Sequence, residues 1–250
     1  MNEFFLELTI TILALLFGTI VLCFAGFGIA IAASPFLLLF LDSKDTVVLI
    51  NTVSLGIFLL LIFQNRQNID YKEMRLPIAC GLVGVPFGLA FFEGINNALL
   101  GIVISLLIIC SGLFIYCARG TAFKLSNLKL YLTSFFVGGL LTSTGVGGPL
   151  MAVAALARNW GKDRIRGSLP FFYVFVEGTA SVGYLYSGRF NGELLILISF
   201  GFIPAIVGFV IASQLARKST EKMYKKTLLI AIIAAGFVAL VRQATFFLEI

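Results

Sequence analysis

Gly138-Gly139-Leu140-Leu141-Thr142-Ser143-Thr144-Gly145-Val146-Gly147-Gly148-Pro149 interrupts an apolar block that runs from 131 to 157. As one helix the block would be about 40 Å long, beyond the roughly 30 Å hydrocarbon core of a bilayer. Glycine and proline at this density collapse helix propensity, so the block is expected to break. Block 10–41 poses the same problem: it would reach about 48 Å as one helix, and it contains Gly26-Phe27-Gly28 and Ser34-Pro35. Around these two, apolar stretches at 46–64, 76–92, 96–117, 168–187, 193–214 and 228–247 are each long enough to cross a membrane once. The chain has 250 residues, of which 60% are hydrophobic, and a mean hydropathy of +1.05, more apolar surface than a soluble fold of this size could hide. The expected fold is therefore an all-α polytopic membrane protein with about eight hydrophobic segments, broken or re-entrant at 10–41 and 131–157.

The basic residues sharpen this topology. Fifteen of the eighteen Lys and Arg residues sit in four connections: Arg66, Lys72 and Arg75; Arg119, Lys124 and Lys129; Arg158, Lys162, Arg164 and Arg166; and Arg217, Lys218, Lys222, Lys225 and Lys226. If every block crossed once, the second and third clusters would lie on opposite faces, against the bias of basic short loops toward the cytoplasm. The conflict disappears if 131–157 enters and returns as two half-length helices; treating 10–41 the same way places the acidic N-terminus outside, and two full crossings within one of the long blocks would give the same parity. All four clusters are then cytoplasmic, and both termini lie outside with the acidic 42–45 loop. The net charge of +6 thus reports topology in an inner (cytoplasmic) membrane, and no nucleic-acid partner is expected.

Gly26-Phe27-Gly28 and Gly145-Val146-Gly147 are 119 residues apart, and Gly81–Gly88 and Gly201–Gly208 repeat a seven-residue glycine spacing around Pro86 and Pro204. Two similar halves, 1–125 and 126–250, each with one broken hairpin and three crossings, must lie upside down relative to each other. Inverted repeats with interrupted segments are common in secondary transporters, where the ligand site lies near the midplane between the copies. The plainer reading is that the glycines only allow close helix packing. Against it stand Pro149 directly after the glycines and the polar residues beside the breaks, Asn51, Thr52 and Thr142-Ser143-Thr144. Backbone left unpaired at membrane depth is tolerated only where protein, water or ligand satisfies it.

A helix beginning at Gly147-Gly148-Pro149 presents free N–H groups and a positive dipole end, which suit an anion. Gly145, Gly147 and Gly148 let backbone approach the ligand, Thr142, Ser143 and Thr144 carry hydroxyl donors, and the first half contributes Gly26, Gly28 and Ser34. Asn51 and Thr52 either line the pathway or bond between helices. Glu177 is the acidic residue well inside a crossing. It costs several kcal/mol to bury unless paired, hydrated or protonated, so it is read as a proton carrier, with a structural acid as the alternative.

Histidine is absent, which removes imidazole bases and histidine metal ligands, and no paired acids suit aspartyl chemistry. No enzyme, metal or cofactor is expected. Cys23, Cys80, Cys110 and Cys117 lie in or beside apolar runs without Cys-x-x-Cys spacing and read as packing residues. Glu3 and Glu7, with no nearby Lys or Arg, lack the character of a cleavable signal, so the first segment is expected to remain.

Leu22-Cys23-Phe24-Ala25-Gly26-Phe27-Gly28 leading to Pro35, and more strongly Gly138 through Leu150, resemble the glycine-rich signatures of the sulfite exporter TauE/SafE family of membrane permeases. The resemblance spans nearly the whole chain. It implies a secondary transporter of a small sulfur-containing or organic anion, of the sulfite or sulfonate type, driven by protons and acting in the lipid bilayer as a monomer or homodimer. A passive anion channel and an intramembrane assembly protein without transport are the competing readings.

Overall fold

A computed structural model describes residues 2–25, 28–117 and 125–215. Gly26, Arg119, Lys124, the cluster at 217–226, the apolar block 228–247 and the C-terminus lie outside the described residues. The described elements are helices throughout: α1 (Asn2–Ala25), α2 (Ile29–Leu37), α3 (Ser43–Asn65), a 3-10 turn (Arg66–Asn68), α4 (Tyr71–Gly94), α5 (Asn97–Cys117), α6 (Asn127–Thr144), α7 (Gly148–Ala157), α8 (Lys162–Tyr186) and α9 (Gly192–Leu215). Spans Phe5–Cys23, Ser43–Asn68, Tyr71–Gly94 and Gly192–Gln214 are long and apolar enough to cross a membrane. Large apolar side chains on them, such as Phe63, Phe87 and Ile203, are exposed, as faces turned to lipid require. The protein is an all-helical, polytopic membrane protein.

Both long blocks break, but not into equal halves. The expectation of two half-length helices in each is corrected to a long helix followed by a short one: 24 and 9 residues in the first block, 18 and 10 in the second. Gly138 and Gly139 do not interrupt α6, because they are packing points. A Cβ at Gly138 would lie 2.1 Å from the Gly81 carbonyl oxygen, and one at Gly84 would lie 2.1 Å from that of Phe135. The chain turns instead at Gly145, whose φ of +72° ends α6 and whose N–H donates to Leu141 O at 2.9 Å. In the first block Gly28, at φ +80°, precedes α2. These left-handed conformations favour glycine, and they fall in both breaks.

The second block does return to the end it came from. Leu125 N–H donates to Ala157 O at 3.1 Å, and Arg158 donates to Asn127 Oδ1 at 2.7 Å and to Leu125 O at 3.3 Å. The start of α8 joins this end through Arg164, which pairs with Asp70 at 2.8 Å and with Glu73, while Arg158 pairs with Glu73 at 2.6 Å. Asp70 also caps α4 by accepting from Glu73 N–H at 3.0 Å. Basic residues from 66 to 75, from 129 and from 158 to 166 thus share one end of the bundle. At the opposite end Glu93, closing α4, pairs with Arg189 beyond α8, and Lys44 donates to Glu93 O at 3.1 Å. The cations of Lys44 and Arg189 each lie 5.6 Å from the Phe92 ring centroid.

Long α3 and α8 run antiparallel through the centre: Asn51 meets Tyr184, Ser54 meets Glu177, and the backbone of Asn65 lies against Gly167. On either side α4 packs along α6 and α9 packs along α1. Gly88 sits against Gly139 O and Thr142, and Gly208 sits against Leu16 O and Thr19.

Candidate functional site

Gly145 ends α6 in the left-handed conformation, Gly147 opens α7 as its N-cap, and Pro149 occupies the first turn, where a missing N–H costs no hydrogen bond. The first break brings α2 to the same place: a Cβ on Gly145 would lie 3.4 Å from Ala30 Cβ and 3.5 Å from Asn51 Oδ1. Here lies a cavity of about 10 Å³, room for about one water, lined by Gly28, Ile29 and Ala30 at the start of α2, Leu141, Gly145 and Gly148 at the second break, Ile50, Ser54 and Phe58 on α3, and Tyr173 and Glu177 on α8. Two short helices therefore begin at one buried point, where the positive ends of their dipoles converge.

Glu177 is 3% exposed. The Ser54 hydroxyl oxygen lies 2.7 Å from Glu177 Oε2 and 2.8 Å from the Ile50 carbonyl oxygen. A hydroxyl has one proton to donate and can also accept. With Glu177 ionised, Ser54 donates to the carboxylate; with Glu177 protonated, the acid donates to Ser54, which turns its proton to Ile50 O. One hydroxyl rotation accommodates both states without moving a heavy atom.

The cavity wall is held by a second polar set. Asn51 Nδ2 donates to Leu141 O and to the Tyr184 hydroxyl, both at 2.9 Å, and the Tyr184 hydroxyl donates to Thr142 O. Leu141 O, which also accepts from Gly145 N–H, and Thr142 O at the end of α6 thus find partners on α3 and α8. This network assigns the amide orientation of Asn51 and leaves its buried Oδ1 without a partner among the described residues. The Tyr173 hydroxyl donates to Gly148 O at 3.2 Å, tying α8 to the first turn of α7.

The residues singled out from the sequence divide into two groups. Gly28, Gly145, Gly148 and Glu177 line the cavity, with Asn51 directly behind Gly145. The hydroxyls of Thr142, Ser143 and Thr144 donate to Gly138 O, Gly139 O and Leu140 O within α6, and Thr144 Oγ1 also accepts from Val146 N–H. Thr52 donates to Val48 O at 2.7 Å, Ser34 is buried within α2, and Gly147 faces Leu141 and Val137 O of α6. Gly26 lies outside the described residues. Ser54, Phe58, Tyr173 and Tyr184 were not singled out. Repeat spacing could have found three of them: 119 residues, the distance between the two Gly-x-Gly elements, also separates Ile29 from Gly148, Ser54 from Tyr173 and Phe58 from Glu177, all lining the cavity.

Outside the membrane-spanning segments, Arg189 is held above the ordinary arginine range, chiefly by its hydrogen bonds to Glu93. It therefore stays charged wherever Glu93 is ionised.

The family model described as Sulfite exporter TauE/SafE matches residues 10–239, nearly the whole chain and both breaks. No curated protein and no solved structure matches it.

Proposed function

Because the chain belongs to the sulfite exporter TauE/SafE family, whose members are membrane transporters of sulfite or related anions and not enzymes, we propose that it carries its anion through the buried cavity by proton-coupled alternating access. The observation that carries this reading is the meeting of both chain breaks and Glu177 around one point. Two helix N-termini supply anion-binding N–H groups there, and the acid beside them can take up or release a proton.

The halves 1–125 and 126–250 act as inverted copies that rock about the α3–α8 pair. Support comes from the matched packing of α4 on α6 and of α9 on α1, and from the lining residues paired 119 apart. Ion pairs join the two halves at each end, Glu93 with Arg189 and Asp70–Glu73 with Arg158–Arg164. With an ion-pair latch at each end, the two mouths can open separately, which favours a carrier over an open channel. The basic end is the cytoplasmic one by the charge bias of short loops, in an inner membrane.

Proteoliposome uptake tests the reading. Saturable accumulation of sulfite or a sulfonate when a proton gradient is imposed, lost in Glu177→Gln while counterflow exchange survives, is the expected result. Non-saturating, ohmic anion current would overturn it.

A further inference from the structure

Resting on that transport reading, we infer that the cavity is built for one net negative charge, so that it loads a monoanion together with one proton on Glu177 and rejects dianions. Among the described residues, no Lys or Arg lines it. Its positive potential comes from the N-termini of α2 and α7, each equivalent to roughly +0.5 elementary charge, together about +1. Among the described residues a single carboxylate lines it, on Glu177. Ser54 meets Oε2, and no donor among the described residues meets Oε1.

Those charges match when the cavity is empty and Glu177 is ionised. A monoanion is larger than the one water this cavity holds and enters only as the helix ends part; beside an ionised carboxylate it would put two negative charges against about one positive where screening is weak. Protonating Glu177 restores the match, and rotation of the Ser54 hydroxyl accommodates the proton. A dianion exceeds the available positive charge even then.

Among the described residues no other group makes up the difference. The charged residues of the elements packed against α8 lie at the two ends: Lys44 and Asp45 of α3, Arg66 of the 3-10 turn, Tyr71–Arg75 and Glu93 of α4, Lys129 of α6 and Arg158 beyond α7. The titratable neighbours on α8 are the phenols of Tyr173 and Tyr184, whose protons are donated to Gly148 O and Thr142 O. Each cycle therefore moves one anion and one proton together, the proton taken from water on the open side and released to water on the other, with no net charge crossing.

Titration calorimetry on the purified full-length protein, in buffers of different ionisation enthalpy across a pH series, tests this. Methanesulfonate serves as the permanent monoanion and sulfate as the dianion. The expected result is uptake approaching one proton per methanesulfonate at the alkaline end of the series, with sulfate at least about tenfold weaker. Glu177→Gln should bind methanesulfonate with no proton uptake and no pH dependence. Proton-free binding of methanesulfonate by the wild type throughout the series, or equal binding of sulfate, overturns the inference; both measurements stand if the variant does not fold. Methanesulfonate uptake into proteoliposomes should also ignore an imposed membrane potential, and uptake that follows the potential overturns the inference. Wild-type protein that binds neither methanesulfonate nor sulfite overturns the transport reading itself, and the charge count with it.

Discussion

Tyr184 shows how much one phenol can hold at membrane depth. Its hydroxyl accepts from Asn51 and donates to Thr142 O, so it satisfies a carbonyl at the frayed end of α6 and fixes the amide that bonds Leu141 O. Tyr184→Phe keeps the ring against Phe92, at 5.1 Å between centroids, and removes only the polar link. Leaving those groups short of partners should cost about 1–3 kcal/mol, measured as a lower unfolding temperature in detergent. Transport should fall with it, since the wall behind Gly145 loosens. Glu177 stood out in the sequence because a charge inside an apolar run is conspicuous. Tyr184 and Ser54 did not, because hydroxyl residues in apolar segments usually bond their own helix, as Thr52 and Thr142 do. What separates the two kinds is a contact more than a hundred residues away in the chain, between Ser54 and Glu177 or between Asn51 and Tyr184, and no local pattern encodes it.

Among the helices, closeness decides which glycines matter. Gly84 and Gly138 let α4 and α6 touch backbone to backbone, whereas a Cβ at Gly178 would meet Leu55 at an ordinary 3.8 Å. Gly84→Ala and Gly138→Ala should each destabilise the protein by about 1–3 kcal/mol or more, and Gly178→Ala should be close to neutral. Thermal unfolding of the three variants distinguishes them. The unequal hairpins have the same cause. In sequence, Gly138-Gly139 and Gly145-Val146-Gly147 are equally plausible breaks; only the presence of α4 turns the first pair into a contact and leaves the second as the turn. The end latches make a further prediction at this scale. Breaking a bidentate pair of this exposure shifts a two-state equilibrium by about 1 kcal/mol, roughly fivefold. Glu93→Gln should raise labelling of a Ser54→Cys reporter by an impermeant thiol reagent added at the acidic end, and Glu73→Gln should raise it from the basic end. Equal labelling from both ends in either variant would argue against separate gates.

For the whole molecule, the apolar blocks, the two interruptions and the direction of the second hairpin were legible from composition and charge placement alone, because a bilayer imposes length and sidedness on any chain that crosses it. The cavity was not, since it depends on how α2 and α7 meet across the bundle axis. The three lining pairs 119 residues apart all differ in identity: Ile29 corresponds to Gly148, Ser54 to Tyr173, and Phe58 to Glu177. The acid thus occupies one of two related positions. In a Glu177→Gln background, Phe58→Glu should therefore restore a measurable part of proton-driven uptake, whereas an acid introduced at the neighbouring Ile57, which does not line the cavity, should not.

The smallness of that cavity also bears on the energy economy of the cell. A relay of hydrogen-bonded waters spanning the roughly 30 Å hydrocarbon core needs on the order of ten molecules at about 2.8 Å spacing. The cavity beside Glu177 has room for about one. An idle molecule is therefore expected to insulate: proteoliposomes carrying the protein without any anion should hold an imposed proton gradient as long as protein-free vesicles do, and faster collapse would show a leak past Glu177.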